Sequence, residues 1–561
     1  MKALQDRHSP TLCGRALAST SQFLARGGDW LRKKLRTSAA QASGRRFMRF
    51  LRRKWPPDPL ANGNSVVLLG LFPHKIATYC NLHFAQNLAR RTGSRIEAYK
   101  ITTRCSRLVE EIYAAGGVRV GLDASFAESA RVELEKEAGA LFAALRSKWE
   151  LLELRYDGLR IGDLVYDSYL RYHVEPTVTL DDPRLREIIL KSLIVFVATT
   201  NYLQARKVVG FVTDDYSYHE CGIITRVLER AQVPVHLVAF GPEHYLYRLH
   251  GEPGADQQSS RLHWPYPEYR TIFRGMPAEE QDRCREKGRQ HLDRKLAGQP
   301  DRFTLGSNTA FGESSGTLFA DSGKPRMLVL MHDFFDAPHG FRWMLFPDFY
   351  EWACFLFEQA SETPFEWYVK PHPASWDPAR ASLNKNNFAT FQKLRERFPK
   401  INFLPPHVSN RQIVDEGIKA MFTMYGTAAH EFARMGIPVV NAGDNRHIAY
   451  DFNYHPRSVD EYRDLIARAD RLTLKANPDD IAEYVYMNYY YFEEHCSHGD
   501  ANPLPPSFYA DVDYEAITSV PTGYDRLIHE HVADREAKME EFYDLYFRAS
   551  PQSAGPAPVV I

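Results

Sequence analysis

Two short stretches of this 561-residue chain carry residue types that could handle a phosphate. In the first, Lys370-Pro371-His372-Pro373 closes an apolar run, and its two prolines would hold a turn histidine in place. An imidazole there can donate to a phosphate oxygen, and Lys370 adds positive charge. The second follows about fifty residues later, over 422–441. It reads as strand end, glycine turn, helix and short buried strand. Gly426 would let the backbone approach a ligand. Thr427 is the expected N-cap of the helix, and the free N–H groups of that helix start would favour an anion. Glu431 lies one turn further on the same face, where a carboxylate can take two ribose hydroxyls. Gly436-Ile437-Pro438 ends the helix. An ordinary strand–helix–strand unit would read the same way, so the pairing of the two stretches matters more than either alone.

A third stretch supplies carboxylates. The run 208–213 predicts a strand that delivers Asp214 and Asp215 at its C-terminal end, with Ser217 and Glu220 forming an expected capping box for the next helix. In open parallel sheets, ligands bind beyond the C-terminal strand ends. His332 and Asp333, with Asp336 and His339 nearby, follow the apolar run 326–331 in the same way, and His74 follows 65–69. These are the expected cleft and acceptor-side residues. Asp163 and Asp167 bracket Tyr166, with Asp163 expected to cap a turn. His407, Asn410, Gln412 and Asp415 are candidates for a nucleotide-base pocket, and His447, Asp451 and His455 follow the last strand of the second lobe.

The elements that must position these residues alternate strand with helix. Strands are predicted near 65–69, 95–99, 208–213 and 233–239, with helices near 77–91, 125–155, 185–205 and 217–230. Residues 158–171 read as a short strand or turn. A second series of strands is predicted at 326–331, 367–370, 401–404, 420–423 and 438–441, with a helix near 457–470. The fold class is therefore α/β, with open and mostly parallel sheets. The expected domains are a basic segment over 1–60, a first lobe over 61–255, a linker over 256–322, a second lobe over 323–470 and a Tyr-rich helical segment and tail over 471–561.

Composition narrows the function classes. Formal net charge is zero, which gives no overall field for nucleic acid. Seven scattered cysteines without a Cys-x-x-Cys pair fit a reducing compartment, and His495 to His498 lack the second cluster that a zinc site needs. No run of about eighteen apolar residues predicts a membrane span. Residues 1–60 hold 14 Lys/Arg against three Asp/Glu. Phe47, Met48, Phe50, Leu51 and Trp55 interleave with six cations there, which predicts a detachable amphipathic segment for an anionic membrane surface.

Lys-Pro-His-Pro followed by Tyr-Gly-Thr-x-x-x-Glu-x-x-x-x-Gly-x-Pro resembles bacterial surface and capsular polysaccharide biosynthesis proteins. These include the capsule Kdo transferases and, more distantly, the GT-B sialyltransferases. The resemblance implies two Rossmann-like lobes facing across a cleft, with the C-terminal helical segment packing back. It implies a glycosyltransferase using a nucleotide-sugar donor, CMP-linked in those relatives, and a surface-polysaccharide or lipid-linked acceptor. His372 and Thr427 would then contact donor phosphate and Glu431 the ribose, with Asp214 or Asp215 as catalytic carboxylate. This chain departs from the sialyltransferases in having Tyr216 where glycine is usual and Gly-Thr in place of a serine pair. No metal or other cofactor is implied, and the expected location is cytoplasmic, peripheral at the inner membrane face. The alternatives are a nucleotide-sugar 2-epimerase of the same architecture and a non-catalytic assembly or export factor.

Overall fold

The computed structural model describes residues 38–55, 65–71, 75–101, 106–239, 245–249, 266–299, 311, 316–319, 321–340, 343–372, 382–491, 494, 501–503, 522–528, 539–540, 543–544 and 547. His74 and the 495–498 cluster lie outside them. Among the described residues eight strands precede residue 250: β1 Ser65–Leu69, β2 Arg95–Lys100, β3 Arg119–Asp123, β4 Arg155–Tyr156, β5 Leu159–Arg160, β6 Lys207–Thr213, β7 Val235–Ala239 and β8 Tyr245–Leu249. A second group comprises β9 Arg326–Leu330, β10 Glu366–Lys370, β11 Ile401–Phe403, β12 Ile418–Thr423 and β13 Val439–Asn441, and β14 is Ala501–Pro503.

They form two main sheets, β14-β8-β7-β6-β1-β2-β3 and β11-β10-β9-β12-β13, with β4-β5 a small hairpin. The parallel strands of both sheets run in the doubly wound order 3-2-1-4-5 when counted within each lobe. Alternation explains why the central strands are apolar throughout. In β1, Val67 and Leu69 enter one core while Val66 and Leu68 enter the core on the opposite face. In β9, Met327 and Val329 divide from Leu328 in the same way. Period two with both faces covered favours apolar side chains along the middle of these strands.

The two lobes are joined twice more. Ala501–Pro503 pairs antiparallel with β8, so chain from beyond the second lobe completes the first sheet's edge. Tyr524, Leu527, Met539 and Tyr543 then join the first lobe's core, and Glu540 accepts from Asn87 at 2.6 Å and Arg90 at 3.0 Å. The C-terminal segment thus packs back across both lobes. Helices Tyr269–Arg274 and Ala278–Leu296 lie in the stretch expected as linker, and they pack on helix Pro478–Tyr486. At Gly288 an added Cβ would fall 2.0 Å from Ala482 O, so that helix crossing requires glycine.

Two local expectations are corrected, at 158–171 and 38–54, and a long apolar helix is accounted for. Residues 158–171 are mostly helix, Gly162–His173, because Tyr166, Tyr169 and Leu170 recur on a buried helical face. Helix Pro183–Ala205 is long and apolar enough to cross a membrane by length and composition. It packs against helices 131–144 and 219–230 and contributes Leu185, Ile188, Ile189 and Leu193 to the core. Residues 38–54 are helical, but their apolar side is not free: Phe47, Met48 and Leu51 are buried in the first lobe, and Phe47 stacks on Tyr524 at 4.7 Å. Trp55 stacks on Tyr79 and His83. The segment is therefore part of the lobe's core and is not detachable.

Removing that contact should unfold the lobe locally. Phe47→Ala is expected to cost about 3–5 kcal/mol, the usual range for a buried aromatic. Denaturant unfolding followed by tryptophan fluorescence measures it, and an unchanged midpoint would show that the helix contributes no core.

Candidate functional site

The first sheet's switch point lies between β1 and β6, where Gly70 N donates to Val212 O at 2.9 Å. Asp214 and Asp215 follow β6 directly. Asp215 is fixed by a short turn: its Oδ1 accepts from Ser217 N at 2.7 Å, and Thr213 Oγ1 donates to its carbonyl at 2.6 Å. Ser217 is therefore not the expected cap. Helix His219–Arg230 starts instead with Ser168 Oγ accepting from His219 N at 2.8 Å. Asp214 Oδ1 is buried with no hydrogen-bond partner. Burial first, and the Asp215 carboxylate second, push the Asp214 pKa well up.

The second sheet's switch point lies between β9 and β12. His332 closes it: Nε2 accepts from Tyr425 N at 3.1 Å and lies 3.2 Å from Thr423 Oγ1. Burial pushes its pKa down to about 3, so the ring stays neutral with Nε2 as acceptor. His332 therefore ties two strand ends together at the switch point and is half-buried there. Gly426 N likewise donates to Thr423 Oγ1 at 3.2 Å, and a Cβ at Gly426 would meet that oxygen at 2.7 Å. The glycine is required by the threonine beneath it.

The expected phosphate helix is also corrected. It spans only Ala429–Arg434, and its N-cap is Ala428 with no side-chain hydrogen bond. Thr427 sits exposed in the preceding turn. Glu431 is buried and already paired, 3.0 Å from Lys295 Nζ. Lys370 is buried too, and its Nζ donates to Asn410 Oδ1 at 2.5 Å. Burial pushes its pKa down to about 8, partly offset by Glu431. Gln412 donates to Gly316 O and Glu416, both at 2.8 Å. Asn410 and Gln412 thus brace the lobe and do not line a base pocket. His447 is buried, with the Asn445 and Asn453 amides 2.6 and 2.8 Å from Nε2.

What the cleft does bring together is an acidic edge and a basic one. Asp336, in the loop after β9, faces Arg171 at 4.0 Å and feels both Asp333 and, from the first lobe, Asp215. His372 lies beside Asp333 and Asp336. Part of its ring reaches solvent, yet desolvation lowers its pKa, with Asp333 opposing and Lys370 adding to the fall. Arg446, after β13, was not singled out from the sequence. Its guanidinium lies 6.0 Å over the Tyr266 ring, near Tyr484 and Tyr489, and it acts electrostatically on Tyr216 of the first lobe. Among the described residues no carboxylate pairs with it. The signal that could have found it is an arginine in a polar Asn-Ala-Gly-Asp-Asn-Arg run directly after a strand of a doubly wound sheet.

The lobes are held by a buried polar joint. His339 Nδ1 lies 2.6 Å from Asp167 Oδ1, its backbone N–H donates to Asp167 Oδ2 at 3.2 Å, and its Nε2 lies 2.8 Å from Pro347 O. Asp348 accepts from Tyr166 and Thr177, each at 2.5 Å, and Lys148 pairs with Glu351. Asp163 is not a turn cap. Burial would raise it, but bidentate Arg226 holds it down to about 2. Among the described residues no group of three or more metal-type ligands is assembled.

No family model and no curated protein matches the chain. Solved structures similar to it include a KpsC beta-Kdo 2,4 transferase from Thermosulfurimonas dismutans, at 10% identity and TM-score 0.30, covering 50% of this chain and 80% of that one. A UDP-GlcNAc 2-epimerase from Neisseria meningitidis is matched at 11% identity and TM-score 0.20, over 76% and 98% of the two chains. HepE from Anabaena, solved with UDP and glucose, is matched at 9% identity and TM-score 0.23, over 76% and 94%. Glycosyltransferases and epimerases both stand among these neighbours. The assignment of a GT-B-like fold rests on the strand order of the two sheets.

The joint makes a pH prediction. Burial raises Asp167 to about 6 against the pull of His339, and Asp167 raises His339 against the effect of burial. Both groups hold protons more tightly folded than unfolded. Their contribution is therefore greatest in acid and fades as pH rises, through about 6 for Asp167 and then through the raised value for His339. His339→Gln should remove the His339 part of this decline and shift the Asp167 part to higher pH, since burial then acts on that carboxyl without the opposing imidazole, and His339→Ala should cost about 3–5 kcal/mol. A parallel decline in wild type and His339→Gln would refute the assignment.

Proposed function

We propose that this protein is a glycosyltransferase that takes a sugar from a nucleotide-activated donor on the second lobe and passes it to an acceptor on the first. The observation that carries the proposal is the division of charge across the cleft. Carboxylates of Asp214 and Asp215 stand at one switch-point edge, and Arg446, which acts on Tyr216, at the facing one, with Lys295 and Lys370 paired through Glu431 in the same lobe. A departing phosphate needs cations, and an attacking hydroxyl needs a base.

Asp215 is the base in this reading. It is anchored by Ser217 N and sensed by Asp336 across the cleft, whereas Asp214 holds its proton through burial. The acceptor hydroxyl gives its proton to the Asp215 carboxylate while its oxygen bonds to the anomeric carbon. The bond from that carbon to the phosphate oxygen breaks, and its electron pair leaves with the phosphate beside Arg446 and His372. The step as written draws on no further cofactor. A surface polysaccharide or a lipid-linked glycan is the acceptor class, and the inner face of the membrane is the place of work. Arg446, which pairs with no carboxylate among the described residues, favours transfer from an anionic leaving group over a purely structural assembly role, since a half-buried guanidinium gains from a counter-anion.

A thermal-shift panel of CMP, CDP, UDP, GDP and their sugars identifies the nucleotide, and calorimetry with the preferred one tests the site. Arg446→Ala should weaken it by about 1.5–3 kcal/mol and His372→Ala by about 0.5–1.5 kcal/mol, the ranges for charged and neutral hydrogen bonds. Asp215→Asn should keep nucleotide binding and lose about 10²–10⁴ in turnover, while Asp214→Asn, isosteric with the protonated acid, should stay within about tenfold of wild type. Full turnover in Asp215→Asn would remove the base, and unchanged affinity in both cation-side variants would remove the phosphate site.

A further inference from the structure

Helix 38–54 has two faces with different fates. Phe47, Met48 and Leu51 point into the first lobe, where they are buried against Tyr79 and Tyr524. Arg45, Arg49, Arg52 and Arg53 are all exposed. At 3.6 residues and 5.4 Å per turn, these four fall within an arc of about 100° and a length of about 12 Å. Arg46, at the arc's edge, is neutralised by Asp525 at 2.6 Å. Among the described residues none of the other four is paired with a carboxylate, whereas about half of the exposed arginines elsewhere are.

The charge of the whole chain sharpens this asymmetry. The first 60 residues carry 14 cations against three acids, in a chain whose formal net charge is zero, so the remainder is net acidic by the same eleven charges. The exposed arginine face of helix 38–54 on a net acidic remainder will turn toward an anionic surface.

We propose that the exposed arginine face of helix 38–54 docks the protein on an anionic lipid bilayer by electrostatic adsorption alone. A plane is the shape that one convex helical ridge can touch while the acidic body stays clear. A polyanion such as nucleic acid gains affinity by following a long basic track, and the acidic body opposes that. On this helix the burial of Phe47, Met48 and Leu51 withholds those side chains from the usual second component, insertion among the acyl chains. Attachment is therefore salt-reversible. This surface does not depend on the transferase reading, and its test involves no turnover.

The experiment is co-sedimentation of the full chain with phosphatidylcholine vesicles, with and without a third of phosphatidylglycerol. Binding should require the anionic lipid and vanish as salt is raised from about 0.1 M to about 1 M, where the Debye length falls to about 3 Å. Replacing Arg45, Arg49, Arg52 and Arg53 together by Gln should weaken binding about tenfold or more, given the usual contribution of each surface cation. The same four changed to Lys should restore it. A control in which Arg131, Lys136, Arg283 and Arg289 become Gln should leave binding nearly intact. Equal binding to neutral vesicles, binding that survives high salt, equal losses in the Gln and Lys variants or in the control, or tighter binding to duplex DNA than to the anionic vesicles would each overturn the proposal.

Discussion

The His339 ring fixes how the two sheets face each other. One nitrogen is held by Pro347 O in its own loop, which leaves the other aimed at Asp167 in the first lobe. Because Asp167 is itself buried, and its neighbour Asp163 is locked to Arg226, the acceptor cannot move to follow a displaced ring. Tyr166 and Thr177 meet Asp348 a short distance away. Buried polar contacts of this kind contribute more to a unique geometry than to net stability, since desolvation offsets most of their attraction. The geometry they select is the one that sets the end of β6 opposite the loops after β9 and β13. The cleft inherits its shape from this joint.

Both sheets obey the same strand order, so each presents one crevice at its C-terminal edge. What distinguishes the crevices is the charge that their loops deliver. After β6 the chain supplies two adjacent carboxylates, which cannot both ionise freely at close range. After β13 it supplies Arg446 framed by tyrosine rings. An aromatic frame lowers the dielectric around a guanidinium, which strengthens its attraction for an anion.

The strands were legible because a doubly wound sheet demands continuous apolar runs, and β1, β6, β9 and β12 all show them. Asp214 and Asp215 were legible as the residues after such a run. The misreadings share one cause, the replacement of a local partner by a distant one. Ser217 has a capping-box spacing, but Ser168 from another helix reaches His219 N first. Thr427 stands where a cap would stand, yet the helix begins later and Thr423 takes the Gly426 amide. The aromatic residues of 38–54 have the spacing of an interfacial helix, and nothing local reveals that Tyr524 covers them from nearly five hundred residues away. Pattern and propensity specify a face and its polarity. Only tertiary contact specifies what covers it.

Glu431 shows the same principle within the site. Read locally, it is a carboxylate one turn beyond a glycine, free to hold a ribose. In the fold, helix Ala278–Leu296 brings Lys295 to 3.0 Å from it, and Lys370 acts on it from β10. One carboxylate between two lysines leaves an excess positive charge in the floor of the lobe. Burial weakens this excess on Lys370 by lowering its pKa to about 8, but leaves it largely protonated near neutrality. The carboxylate therefore serves to keep two cations buried together, which neither could tolerate alone. Their residual charge adds to that of Arg446 on the side of the cleft facing Tyr216, while Asp214, Asp215, Asp333 and Asp336 concentrate the opposite sign near Arg171. Asp333 and Asp336 belong to the second lobe, so acidic charge stands on both sides of the cleft, and the negative charge of a leaving group is drawn toward its Arg446 end.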